Sequence, residues 1–161
     1  PEYVGLIYCN GLRTANALLF ISMQNRLLRS TDEVERWNII GGLACTQNYD
    51  HLVFFLNLAI TPGNTHSFSE RSRILTAPAS NGEQSLITMI EFIEMKFAVI
   101  IDDSPVLLTN MLNSISWFIA SESLYFRYVL LLSDLLCYRA ITEEVFFNHL
   151  ESARASLDWQ V

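Results

Sequence analysis

Lysine is almost missing from this sequence. Lys96 is the single one in 161 residues, and the nine arginines are scattered. A phosphate-binding face needs clustered lysine and arginine, so a chain of net charge −7 is not expected to bind nucleic acid. The same shortage excludes a basic helix lying on a membrane surface. No apolar run reaches the ~18 residues that a spanning helix requires. The richest stretches, FAVII (97–101) and YVLLL (128–132), are short, flanked by polar residues, and read as buried helix. The chain opens on Pro1-Glu2 with no basic segment leading into an apolar one, so no signal peptide is visible. The missing initiator methionine reads as a piece cut from something longer. Acceptors of the form N-x-S/T are also absent.

Catalytic signatures are equally sparse. There is no H-E-x-x-H, P-loop, G-x-G-x-x-G or G-x-S-x-G. His51, His66 and His149 lie far apart, and each reads as a surface or partly buried side chain rather than a metal ligand. Cys9, Cys45 and Cys137 cannot form a C-x-x-C zinc or redox site. Three is an odd number, so at most one internal bridge forms, and by count alone buried free thiols are the default. The pairs Asp102-Asp103 and Glu143-Glu144 are read as helix starts, where a carboxylate complements the helix dipole without any catalytic role.

What the sequence does have is apolar residues at helical spacing: 51% of the chain is hydrophobic and only 17% charged. Its length gives one domain, 1–161, able to bury a sizeable core. Sustained period-two alternation is missing, so an all-α fold is expected. Residues 4–9 read as the end of a helix stopped by Asn10-Gly11. Residues 14–28 follow, with Thr14 as N-cap and Leu18, Ile21 and Leu28 on one face. STDEVERW (30–37) starts the next, capped by Ser30 or Thr31, with Val34, Trp37, Ile40 or Gly41, and Ala44 in a stripe. Further helices are read at 48–60, 67–77, 82–95, 102–120, 123–137 and 142–159, the last with Phe146, Leu150, Ala153 and Leu157 in line. These short helices with tight connections fit antiparallel pairs stacked as a short right-handed α-solenoid of the HEAT or armadillo kind, with a compact irregular bundle as the alternative. Arg13, Arg71 and Arg73 are candidates for gripping a carboxylate, surface solubility being the other reading. The aromatics fall mostly on helix faces and read as core.

Several stretches together resemble the C-terminal helical domain of the M1 zinc aminopeptidases, the aminopeptidase N group. They are YCNGLR (8–13), WNIIGGLACT (37–46), FLNLAITPG (55–63), SERSRILTAPASNGEQSLITMIEFI (69–93) and ARASLDW (153–159). The likeness lies in their order and spacing over residues 3–159. Two departures stand out. SFSE (67–70) replaces an Arg-x-Gln-Asp-like run, and Phe97 stands where a tryptophan is common. The resemblance implies that Cys9 and Cys45 are disulfide partners, which implies an oxidising compartment, with Cys137 free and buried. Gly41-Gly42 then reads as a notch where a neighbouring helix approaches closely.

The resemblance further implies a non-catalytic piece of an extracellular or plasma-membrane-attached ectoenzyme that removes N-terminal residues from peptides. Zinc and the exopeptidase motif would belong to the catalytic domain of the same polypeptide, and this chain would hold no cofactor. Its partners would be that catalytic domain and the peptide substrate, whose access it limits by closing over the cleft. A homodimer is also allowed. Two rival readings are a freestanding helical-repeat binding module and part of an inactive paralogue. A fragment of this kind is expected to expose apolar surface and to self-associate.

Overall fold

The structure, a computed structural model, describes residues 2–63 and 65–159. It is all-α. Among the described residues there are nine helices and no strand: α1 (Glu2–Arg13), α2 (Ala17–Arg29), α3 (Glu33–Leu43), α4 (Tyr49–Leu58), α5 (Phe68–Thr76), α6 (Glu83–Asp103), α7 (Pro105–Trp117), α8 (Glu122–Cys137) and α9 (Glu143–Asp158). A 3-10 turn, Ala77–Asn81, follows α5. The chain forms two compact units that meet in sequence between Asn81 and Gly82.

Helix starts follow side-chain chemistry. Asn16, Asp32, Asn48, Ser67, Ser121 and Thr142 each accept a hydrogen bond from a first-turn backbone N–H. Asp32, rather than Ser30 or Thr31, caps α3 because its carboxylate reaches two amides at once, those of Val34 and Glu35, at 2.8 and 3.0 Å. Asn16, rather than Thr14, caps α2. Ser67 and Glu70 form a reciprocal capping box at the start of α5.

In the first unit every second helix stacks in parallel. Residue pairs along α1 and α3 advance together: Gly5 lies beside Asn38, Tyr8 beside Gly42, and the N–H of Gln47 donates to the carbonyl of Arg13. α3 and α5 do the same through Arg36 with Glu70, Gly41 with Arg73, and the Ala44 carbonyl with Asn81. α2 and α4 lie side by side, with Phe20 stacked on His51 at 4.4 Å. The core is Phe20, Leu27, Ile39, Ile40, Leu43, Phe55, Leu56, Ile74 and Leu75. In the second unit α6 pairs with α8 in parallel, Glu83 meeting Ser121 and Glu91 meeting Arg127, and α7 packs on α6 and α9. Buried Tyr128 donates its hydroxyl to the carbonyl of Leu112 at 2.9 Å. Each unit therefore carries the helix-pair repeat anticipated from the spacing.

Several local expectations are corrected. α1 runs through Asn10-Gly11 to Arg13, because Leu12 is buried and holds the last turn in place. On α2 the buried stripe is Phe20, Gln24 and Leu27, while Leu18, Ile21 and Leu28 face outward. Both stripes have helical spacing, and the aromatic bulk of Phe20 decides between them. On α3, Val34 and Trp37 are exposed and Ile39, Ile40, Gly42 and Leu43 are buried. That helix is packed against α1, α2 and α5. Asp102 and Asp103 form the last turn of α6, which continues through the FAVII run. The break comes at Ser104-Pro105, where proline cannot extend the helix but can start the next. Cys137 is free but exposed, not buried. It ends α8 on the side away from Leu131, Leu132 and Leu135, which hold the core contacts. Of the histidines, read as surface or partly buried, His66 and His149 lie at the buried end of that range.

Candidate functional site

The first unit holds the residues singled out in the sequence. Cys9 on α1 and Cys45 just after α3 are bonded, with their Cα atoms 5.2 Å apart. The parallel run of α1 on α3 brings them together, and Gly42 permits the approach. A Cβ on Gly42 would lie 2.6 Å from the Cβ of Tyr8, a backbone-attached atom that cannot swing aside. Gly41 faces the other neighbour: a Cβ there would lie 2.8 Å from Nη2 of Arg73. The two glycines therefore serve α1 and α5 separately.

The three candidate arginines do not converge. Arg13, exposed at the end of α1, has Nη2 3.9 Å from the Cys9 sulfur. Nε of Arg71 donates to the carbonyl of Ala59 at 2.6 Å, satisfying the frayed end of α4. Arg73 is half-buried, with its guanidinium 4.1 Å from the centre of the Trp37 ring. Its buried Nε has no hydrogen-bond partner, and no carboxylate pairs with it among the described residues. Burial pushes its pKa below the usual arginine range. Stacking on an indole face is a favourable place for a guanidinium that has no counter-ion.

Sequence reading missed a fourth arginine. Arg36 is half-buried and uses its whole donor set: Nε and Nη2 donate to Glu70 at 2.6 and 3.0 Å, Nη1 to the carbonyls of Leu27 and Ser30 at 2.5 and 3.2 Å, and Nη2 also meets Nδ1 of His66 at 3.2 Å. It thus ties the end of α2 to the start of α5. The hydrogen bonds from Arg36 hold the Glu70 carboxyl below its ordinary pKa, and burial does the same to His66. With its donors occupied, Arg36 is structural. The signal that could have found it is the capping box at Ser67–Glu70, which places a carboxylate at the start of α5 facing the α3 row. Beside this cluster opens a recess of about 700 Å³, with Ser30, Glu33, Trp37, Thr65 and Ser69 in its walls. Glu35, adjacent to Arg36 on α3, accepts a 2.7 Å bond from Nε of Arg26 and a 2.5 Å bond from the Ser30 hydroxyl.

Among the described residues no three His, Cys, Asp or Glu side chains are grouped to hold a metal ion. No described helix is long and apolar enough to cross a membrane. Fold and site together define an all-α helical-repeat protein with one covalent clamp and one unpaired, ring-stacked arginine. No protein-family model and no curated protein matches the chain.

Proposed function

We propose that the chain is the non-catalytic helical domain of an aminopeptidase of the M1 type, shaping and restricting the entrance to a neighbouring zinc-bearing cleft in the same polypeptide. The observation that supports this most is the Cys9–Cys45 bridge, at the positions the motif resemblance implies, within parallel-stacked helices. Catalysis and zinc belong to the parent's catalytic domain, and the compartment is extracellular or at the cell surface. Among the described residues neither exposed Arg13 nor half-buried Arg73 pairs with a carboxylate, and the arginine we take to meet a peptide carboxylate is the one held in place, Arg73. It is charged, fixed by Trp37, and not committed to an acidic side chain. Arg71 is committed in part to Ala59. A homodimer is compatible with this role.

The test is enzymatic and uses the protein encoded by the complete reading frame. That protein should release N-terminal residues from peptides and lose the activity on zinc chelation. Arg73→Ala should raise KM for longer peptides about three- to ten-fold, with kcat little changed, since one charge-assisted contact is removed from substrate binding. Full-length protein with no peptidase activity, or a KM insensitive to Arg73, would contradict the respective parts of the proposal.

A further inference from the structure

The net charge is not spread evenly. Residues up to Asn81 carry six acidic and six basic side chains, whereas those from Gly82 onward carry eleven acidic and four basic, so the whole −7 resides in the second unit. The same unit exposes two tryptophans. Trp159 is 90% exposed and Trp117 74%, the two highest values among the large apolar side chains described in this unit. The two are not separate. Both line one recess of about 440 Å³, whose remaining walls are Ser152, Ala155 and Ser156 of α9. Small residues at spacing three and four on one helix face leave a floor on which an occupant can lie between the indoles. The Ser152 hydroxyl is used, donating to the carbonyl of Asn148 at 3.0 Å. Ser156 makes no such bond among the described residues and can serve a ligand. Glu151 and Asp158 also belong to α9, each one position before a wall residue and so turned about 100° round the helix from it. Asp158 shares its charge with exposed Arg154 at 3.3 Å, while Glu151 has no such partner among the described residues.

An indole face attracts a cation, and arginine is favoured there because its planar guanidinium stacks as well as carrying charge. The net negative charge of this unit as a whole concentrates such a ligand and disfavours acidic ones. We infer that the Trp117–Trp159 recess on α7 and α9 is a docking site for an arginine-bearing peptide segment of a partner, the guanidinium lying against the indoles and the backbone meeting Ser156. This inference does not rest on the aminopeptidase reading.

The experiment is calorimetric titration of the whole chain with acetyl-Gly-Arg-Gly-Arg-Gly amide, its citrulline analogue, and methylguanidinium. The arginine peptide should bind, and the neutral, isosteric citrulline peptide should bind at least ten-fold more weakly. Trp117→Ala and Trp159→Ala should each weaken binding about three- to ten-fold, and Trp159→Phe should retain most of it. Ala155→Leu, which fills the floor without touching either ring, should also weaken it. Circular dichroism establishes that each variant is folded. Binding that ignores both tryptophans but vanishes with salt would overturn the site in favour of general charge attraction. Equal binding of the citrulline peptide, methylguanidinium binding as tightly as the peptide, or no binding at all would each overturn it too.

Discussion

Gly42 and Gly11 show how the same residue type carries opposite consequences at two places. Gly42→Ala pushes a methyl group into the Cβ of Tyr8 and should destabilise the first unit by about 1–3 kcal/mol in thermal or denaturant unfolding, the usual range for overpacking. Gly11, also helical, has open space where a Cβ would be. Gly11→Ala should therefore raise stability by about 0.5–1 kcal/mol through helix propensity alone. Glu70→Gln should lower stability by about 1–3 kcal/mol, because it leaves the half-buried Arg36 guanidinium with a neutral partner and weakens the capping box. The pH dependence follows from this cluster and from His149 on α9. His66 and His149 are both depressed below the ordinary histidine value by burial, so the unfolded chain binds protons more readily than the folded one. Their contribution to stability is complete above about pH 6.5 and is lost as pH falls through their lower folded values. Glu70 is likewise depressed, and its contribution is lost at more acidic pH still. Unfolding midpoints should fall between pH 7 and pH 5, and His149→Gln should flatten that fall. A midpoint that rises on acidification would contradict the assignment of neutral, buried histidines.

Among the elements, the pair α1 and α3 is the most tightly held, by helix contact, the Gly42 notch and the disulfide. Closing a loop of 36 positions is worth about 3–4 kcal/mol in the chain-entropy picture. Cys9→Ser with Cys45→Ser should lower stability by about that much, and peptide mapping of protein made under oxidising conditions should recover a single Cys9–Cys45 link. At this scale the sequence was informative in uneven ways. Helix existence was legible throughout, because apolar residues recur at helical spacing and because starts such as Thr142 carry capping chemistry. Which face turns inward was less legible. α2 offers two apolar stripes, and the bulk of Phe20, seated against α3 and stacked on His51 of α4, selects Phe20 and Leu27 over Leu18, Ile21 and Leu28. The end of α6 was misjudged for a related reason. Asp102-Asp103 looks like a helix start, yet the apolar run before it continues the helix until Ser104-Pro105 stops it.

At the scale of the molecule, the repeating arrangement of helices was foreseeable and the candidate site only partly so. The arginine count could suggest Arg13, Arg71 and Arg73, but only the fold distinguishes them. Arg71 serves the end of α4, and Arg73 stacks on Trp37 with a donor left over. The capping box at Ser67–Glu70 marks a carboxylate at the start of α5, but that Arg36 is its partner shows only once α5 lies along α3. The tryptophan recess escaped notice for the opposite reason: Trp117 and Trp159 read as core aromatics, and their exposure is visible only once α7 and α9 are assembled. The proposed role as the architectural part of a zinc aminopeptidase depends on what the polypeptide carries before Pro1. Sequencing the transcript upstream of that codon measures it directly. The account predicts, in the same reading frame, an H-E-x-x-H motif with a glutamate about 18–20 residues further on, the ligand set that a catalytic zinc requires. A start codon immediately before Pro1, or an upstream domain without those ligands, would contradict it.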